Sequence, residues 1–190
     1  NQMMKSLNAK MYAESKRLGV KWILGGECGH MWRVVHQYMD TMNGPANHLE
    51  VPKSPVTGTV FEHAKSTKMV HICEFTADLI HNNKLKLDPS RNDKYKVTFH
   101  DSCNTARGMG MMEEPRYILN KVMNPANFHE MPENTIREQT FCCGSGSGLN
   151  TDELMEMRMR GGFPRANALK HVVDKHGVNL MACICAIDKA

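Results

Sequence analysis

Residues 95–104, YKVTFHDSCN, decide the fold, because residues 95–99 have the alternating character of a short β-strand and the polar residues after them end in a cysteine. The same arrangement occurs earlier, where the apolar run 20–24 leads into a glycine-rich turn that contains Cys28. Helical sequence follows each strand, over about 30–42 and again from a first turn that carries Pro115. Strands alternating with helices predict an α/β protein with two related Rossmann-like halves and a mostly parallel sheet covered by helices on both faces.

The chain divides where a polar stretch, residues 83–94, follows a predicted helix at 67–82. We therefore expect one half over 1–88 and a second over 89–190. Three more elements are predicted in the second half: a short strand near 128–131, helical sequence over 151–176 that breaks at Gly161-Gly162-Phe163-Pro164, and a last strand at 178–182.

Composition limits the possible functions. The 190 residues are 41% hydrophobic and 23% charged, as in a water-soluble globular protein, and no apolar run approaches the roughly 20 residues of a membrane-spanning helix. A net charge of +4 with scattered basic residues does not indicate a nucleic-acid surface. The N-terminus has no secretory signal, so we expect a reducing, cytoplasmic setting in which seven cysteines favour metal or redox roles over disulfides. Because the chain starts with Asn and stops soon after a cysteine pair, we expect a fragment of a longer protein.

Five cysteines of the second half are predicted to meet. They follow strands or lie in a glycine-rich turn, and parallel strands bring their carboxyl ends to one edge of a sheet; they are Cys103, Cys142, Cys143, Cys183 and Cys185. Thiolates suit an iron–sulfur cluster or zinc, and an adjacent pair favours a cluster, because neighbouring side chains diverge and reach different metals. Glycines after the pair allow backbone N–H groups to approach sulfur; they are Gly144, Gly146 and Gly148. A non-catalytic electron relay and a structural zinc module remain alternatives.

The cysteine spacing resembles that of a known family. Thirty-eight residues separate Cys103 from the Cys142-Cys143-Gly144 motif, and 39 residues separate Cys143 from Cys183. This pattern resembles the cysteine-rich CCG domain of heterodisulfide-reductase-type proteins. The final pair differs, because one residue separates Cys183 from Cys185 where the family usually has two residues between its last two cysteines. Five segments have sequences similar to those of the DsrK-like branch of this family, the heterodisulfide-reductase-like subunit of a membrane-associated complex of dissimilatory sulfur metabolism. The segments are 25–45, 97–104, 113–122, 141–162 and 182–190.

The resemblance implies a cofactor, a reaction and partners. It implies a noncubane [4Fe-4S] cluster bound by the five cysteines of the second half, with Gly144 beside it, where a disulfide, trisulfide or sulfur-loaded thiol is reduced or oxidised. The implied partners are a small DsrC-like sulfur-carrier protein and the other subunits of a membrane-bound redox complex, which would hold the chain at the cytoplasmic face of the inner membrane. Residues 1–88 would be a degenerate first CCG-type half, because most of its cysteines are missing.

Three residues beside the cysteines are candidates for catalysis. Cys28, in the first strand-end turn, is a possible ligand or substrate-side thiol. His30 and His100 lie beside Cys28 and Cys103, where an imidazole is able to donate a proton to a departing thiolate. Arg107 is either a positive charge near the cluster or a solvated helix residue. We expect Cys73 to pack in the protein interior rather than to bind metal.

Overall fold

The computed structural model describes residues 2–65, 67–146 and 151–189. Two compact units make up the chain: the first contains Asn1–Gly26 and Met31–Leu85, and the second contains Glu27–His30 and Lys86–Ala190. The assignment of the first part as a degenerate CCG-type half stays a prediction.

The first unit is built on one pair of parallel strands. Its elements are α1 (Gln2–Arg17), β1 (Ile23–Gly25), most of α2 (Gly29–Asn43), β2 (Met69–His71) and α3 (Ile72–His81). Strand β1 pairs with β2 in parallel, with Leu24 opposite Val70. Val70 packs with Phe61 and Ala64 in a buried cluster that Trp22 and Phe75 partly cover.

Helix α3 begins later than predicted. His71 Nδ1 accepts a hydrogen bond from the backbone N–H of Cys73 at 3.1 Å, and the Glu74 carboxylate accepts one from the His71 N–H at 2.8 Å. This capping box ends the strand and starts the helix at Ile72. The predicted helix at 67–82 was therefore wrong at its start, because residues 69–71 pair with β1 instead.

The second unit also has one parallel strand pair. Its elements are β3 (Val97–His100), α4 (Ala106–Met109), α5 (Glu113–Val122), α6 (Met155–His176) and β4 (Leu180–Cys183). Strands β3 and β4 pair in register, with His100 opposite Cys183. Helix α6 is anchored by Ala168 and Val172, which pack in a buried cluster with Met131, Ile136 and Val178.

The α/β class is confirmed, and two details of the second unit differ from expectation. The strand predicted near 128–131 is only an isolated parallel bridge between Phe128 and Val97. Helix α6 runs through the glycines and Pro164 without the predicted break. Helix propensity is a weak local preference, and here the packing of the helix overrides it. No helix in the described ranges is both long and apolar enough to cross a membrane.

Candidate functional site

The ends of β3 and β4 define the site in the second unit. Both strands end at the His100–Cys183 register pair, and Cys103 and Cys185 follow within three residues. Strand β3 is buried along its whole length, and the next two residues, Asp101 and Ser102, are also buried. The buried strand therefore holds the two chain segments that carry these cysteines side by side.

Asp101 connects the end of β3 to the segment that leads to the cysteine doublet. Its carboxylate accepts two hydrogen bonds from Arg116, at 2.7 and 2.6 Å, and one from the backbone N–H of Arg137 at 2.7 Å. Its carbonyl accepts a hydrogen bond from the Thr140 hydroxyl at 2.7 Å. The Thr140 carbonyl in turn accepts one from Arg107, which is therefore not a purely solvated residue. These bonds bring Thr140, two residues before Cys142, to the strand end.

Helix α6 supports the doublet from the other side. Gly144 has a φ of +86°, and a Cβ atom there would lie 2.4 Å from the carbonyl oxygen of Arg158. A Cβ atom on Gly162 would lie 3.1 Å from the carbonyl oxygen of Cys143. The two glycines thus let the backbone of the doublet lie directly against the helix. Of the two glycines that predicted a helix break, Gly162 serves this close packing, whereas a Cβ atom on Gly161 would meet no described atom within 4 Å.

Backbone N–H groups donate to three cysteine sulfurs. Gly144 donates to Cys142 Sγ at 3.3 Å, and Ser145 donates to Cys143 Sγ at 3.4 Å. A third donor comes from far away in the sequence, since the Gly29 N–H lies 3.3 Å from Cys185 Sγ. N–H donors of this kind stabilise the negative charge on thiolates and metal-bound sulfur.

Asp188 lies among the cysteines, and sequence reasoning missed it. Its carboxylate accepts a hydrogen bond from Ser102, and one oxygen lies 3.6 Å from His100 Nε2. Burial would raise the pKa of Asp188, but the interactions with His100 and Ser102 outweigh it and hold that pKa below the usual value. The only sequence signal was an acidic residue three positions after Cys185.

The thiols in this setting have raised pKa values. Burial raises the pKa of Cys143 to about 12, and a hydrogen bond to Asp188 contributes to the rise. Burial also raises the pKa of Cys103, with Cys142 and Asp188 adding to it, and it raises the pKa of Cys185, where Asp188 and Cys28 add to it. Asp188 thus acts on the pKa values of three of the five predicted ligands, Cys103, Cys143 and Cys185. A metal centre that binds thiolates here would displace protons.

The predicted catalytic residues have unequal access to solvent. Cys28 and His30 are half-buried and belong to the second unit, although they precede most of the first in sequence. His100 is fully buried, and its Nδ1 atom has no hydrogen-bond partner among the described residues. The backbone of Cys183 is paired with His100. Cys142 is exposed, Cys185 is buried, and Gly148 lies outside the described residues.

The donor set consists mainly of thiols. In the described part of the chain, no three His, Cys, Asp or Glu side chains are arranged to hold one metal ion. In an iron–sulfur cluster, cysteine thiolates bind several irons. The soft thiol donors, the N–H groups directed at sulfur and the side-chain-free Gly144 fit this kind of group.

Comparison with known proteins identifies the class of domain. Residues 97–168 match the family model of the CCG cysteine-rich domain. The chain is 53% identical to the Hdr-like menaquinol oxidoreductase iron-sulfur subunit of Archaeoglobus profundus, over 97% of the chain and 35% of that protein. It is 50% identical to iron-sulfur subunit 2 of the corresponding oxidoreductase of Archaeoglobus fulgidus, with the same coverage. The chain thus spans about a third of the length of these curated relatives.

A more distant relative shares only part of the chain. It is a component of the dihydromethanophenazine:CoB–CoM heterodisulfide reductase of Methanosarcina mazei, and it is 39% identical over 43% of the chain and 19% of that protein. No solved structure matches the chain. The chain is therefore similar to Hdr-like iron–sulfur subunits over nearly its whole length. All three relatives are named as parts of oxidoreductases, and the two from Archaeoglobus are named as iron-sulfur subunits.

Proposed function

We propose that this chain is the part of an oxidoreductase subunit that reduces or oxidises a disulfide-type sulfur substrate at a noncubane [4Fe-4S] cluster. The proposed ligands are Cys103, Cys142, Cys143, Cys183 and Cys185. The observation that carries the proposal is the pairing of β3 and β4, which Cys103 and Cys185 follow, together with the hydrogen bond from Thr140 to Asp101 that holds the segment before the doublet at the end of β3. The heterodisulfide reductase relative, whose name states a disulfide substrate, supports the reaction class.

The proposed reaction balances with an external electron donor. Reduction of one disulfide consumes two electrons and two protons and produces two thiols, so another subunit that carries redox centres must supply the electrons. A bound cluster would pass single electrons and offer iron as a Lewis acid to a departing thiolate. The exposed position of Cys142 supports a substrate-accessible cluster over a pure relay, because a relay functions when fully enclosed.

The chain's own residues would then contribute sulfur contacts and a proton. The N–H of Gly29, the residue after Cys28, donates to the sulfur of the proposed ligand Cys185 at 3.3 Å, so the chain segment that carries Cys28 lies beside that ligand. Of the two predicted proton donors, His30 is partly open to solvent, whereas His100 is enclosed and directed at Asp188. We therefore propose His30 as the donor to the departing thiolate and His100 as a buried partner of Asp188.

The substrate and the partners follow from the family resemblance. We propose the disulfide or trisulfide of a DsrC-like sulfur-carrier protein as the substrate, within the DsrK-like branch of dissimilatory sulfur metabolism. The other subunits of a membrane-bound complex would then hold the chain at the cytoplasmic face of the membrane. The names of the Archaeoglobus relatives, which are subunits of a menaquinol oxidoreductase, are compatible with this arrangement.

Cluster assembly tests the ligand set. We expect Cys142→Ala and Cys143→Ala, each in the whole subunit purified without oxygen, to lose most of the bound iron and sulfide together with the visible absorption of the cluster. Cys73→Ala is the matched control, because Cys73 belongs to the first unit, and it should keep all three signals. A doublet variant with full iron content and an unchanged spectrum would exclude the doublet as the centre of the site.

Turnover tests the reaction. In the assembled complex, Cys28→Ser should retain the cluster but reduce the DsrC-like disulfide more slowly than the wild type. Unchanged turnover and unchanged binding of the carrier would favour the electron relay instead. Zinc in place of iron in the isolated protein would favour the structural module.

A further inference from the structure

A cavity beside the cysteine doublet has the features of an anion-binding site. It has a volume of about 290 Å³ and lies between the backbone of Cys143 and helix α6. Two arginines, Arg158 and Arg165, line it together with Met159 and Phe163. We propose that this cavity binds the carboxylate end of a disulfide substrate through the two guanidinium groups, an inference that rests on the proposed function.

Among the residues that the structure describes, no acidic side chain pairs with either arginine. Arg158 donates to the Gly144 carbonyl and to the Ser145 hydroxyl, both at 3.3 Å. Arg165 donates to the Cys143 carbonyl at 3.3 Å and to Met181 Sδ at 3.5 Å. These are long contacts to neutral acceptors, and within the described ranges neither arginine has an ion pair.

Two other arginines of the same unit do have acidic partners. Arg116 has both Asp101 and Glu130, and Arg160, two residues after Arg158, has Glu156 at 2.6 Å. A half-buried guanidinium without a carboxylate keeps most of its capacity for a charge-assisted hydrogen bond. Two of them on one cavity wall therefore favour an oxyanion as the ligand.

Helical spacing places both arginines on the same face. Arg158 and Arg165 are seven residues apart, with Gly162 between them at the position that contacts the doublet. The arginines thus flank the contact between α6 and Cys143. An anion bound by them lies next to a proposed cluster ligand, as expected for the anionic end of a molecule whose sulfur reacts at the cluster.

The apolar part of the wall suits the carbon chain of such a ligand. Met159 and Phe163 belong to the cavity and are 60% and 55% exposed. Large apolar side chains this open to solvent gain from covering by alkyl groups. The cavity therefore fits a short alkyl thiol or disulfide with a terminal carboxylate.

Three disulfides of similar size test the proposal: 3,3′-dithiodipropionate with two carboxylates, neutral bis(2-hydroxyethyl) disulfide and cationic cystamine. Binding is measured by calorimetry on the whole subunit with its cluster oxidised and no electron donor present, so that no turnover occurs. We expect dithiodipropionate to bind at least about tenfold more tightly than the neutral disulfide, as a charge-assisted hydrogen bond implies. Equal affinities would overturn the proposal.

Variants separate ligand binding from a structural role. Arg158→Gln and Arg165→Gln should each abolish most of the preference for the dicarboxylate, whereas Arg160→Gln, on the same helix, should keep it. Arg158→Glu should reverse the preference towards cystamine. If the variants weakened binding of all three disulfides equally, the arginines would only support the fold and the proposal would fail.

The outcome is distinguishable from failure of the proposed function. Preference for the dicarboxylate measured by calorimetry, combined with no reduction of any disulfide when an electron donor is added, would refute the redox proposal and support the anion site. Reduction of all three disulfides at equal rates, with equal affinities, would support the redox proposal and refute the anion site.

Discussion

Replacement of Gly144 by alanine should release the cysteine doublet from helix α6. The left-handed backbone at Gly144, with its φ of +86°, costs about 1 to 2 kcal/mol for a residue with a Cβ atom. The new methyl group would also lie 2.4 Å from the carbonyl oxygen of Arg158, and a forced shift of this kind adds about 1 to 3 kcal/mol. Together these two costs destabilise the packing of the doublet against helix α6 by about 2 to 5 kcal/mol.

This loss of packing would affect the proposed cluster through its proposed ligands. Cys142 and Cys143 precede Gly144 directly, and the Gly144 N–H donates to Cys142 Sγ at 3.3 Å. Backbone movement at this point would therefore displace both sulfurs and remove one of the hydrogen bonds to them. We expect the substitution to lower cluster retention without unfolding the rest of the second unit, whose main core cluster is formed by other residues.

Iron release to a ferrous chelator measures this effect. Under anaerobic conditions the Gly144→Ala subunit should lose iron at least about tenfold faster than the wild type, since about 1.4 kcal/mol already corresponds to that factor. Gly146→Ala is the control, because among the described residues its new Cβ atom would meet only Cys142 Sγ, at 3.9 Å, and its backbone is not left-handed. Equal release rates for Gly144→Ala and the wild type would refute the argument from close packing.

Three further predictions concern stability and access. Arg116→Ala should lower the free energy of unfolding by about 3 to 5 kcal/mol in a urea titration, because it leaves a buried carboxylate unpaired, whereas Arg160→Ala in an exposed pair should cost less than about 1 kcal/mol. Burial lowers the pKa of His71 in the folded protein, so the unfolded protein binds more protons and the free energy of unfolding should fall as the pH drops below about 6.5. His71→Asn keeps a capping acceptor and should reduce this dependence of stability on pH in a series of urea titrations. In protein without its cluster, iodoacetamide should label exposed Cys142 before buried Cys185, and mass spectrometry that found the opposite order would contradict the exposure of the doublet.

The α/β class and the strand ends could be predicted because they depend on local patterns. Residues 97–100 and the cysteine after them form a strand and a turn whose alternation and polar ending are visible in sequence. The rule that parallel strands end at one edge then predicted the neighbourhood of Cys103 and Cys185. Start and end points were less predictable, as at Ile72, where a capping box decides between strand and helix.

The rest of the site depends on contacts that local patterns do not contain. Asp188 lies among the cysteines through Ser102, 86 positions earlier, and nothing around it distinguishes it from a surface acid. Arg158 and Arg165 have a helical spacing that could have been noticed, but their lack of acidic partners appears only in three dimensions. Gly162 was interpreted as part of a helix break because the backbone that it accommodates comes from Cys143, outside the helix.

The short segment Glu27–His30 has a consequence for how the protein is made. It belongs to the second unit, and its Gly29 N–H meets the sulfur of Cys185, 156 positions later in the chain. At 5 to 20 residues per second, a ribosome needs about 8 to 30 s to synthesise that interval. During this time the first strand-end turn has emerged but its sulfur partner does not yet exist. Insertion of the proposed cluster with Cys185 as a ligand would therefore be a late step of biogenesis, which has to wait until nearly all of this chain has been translated.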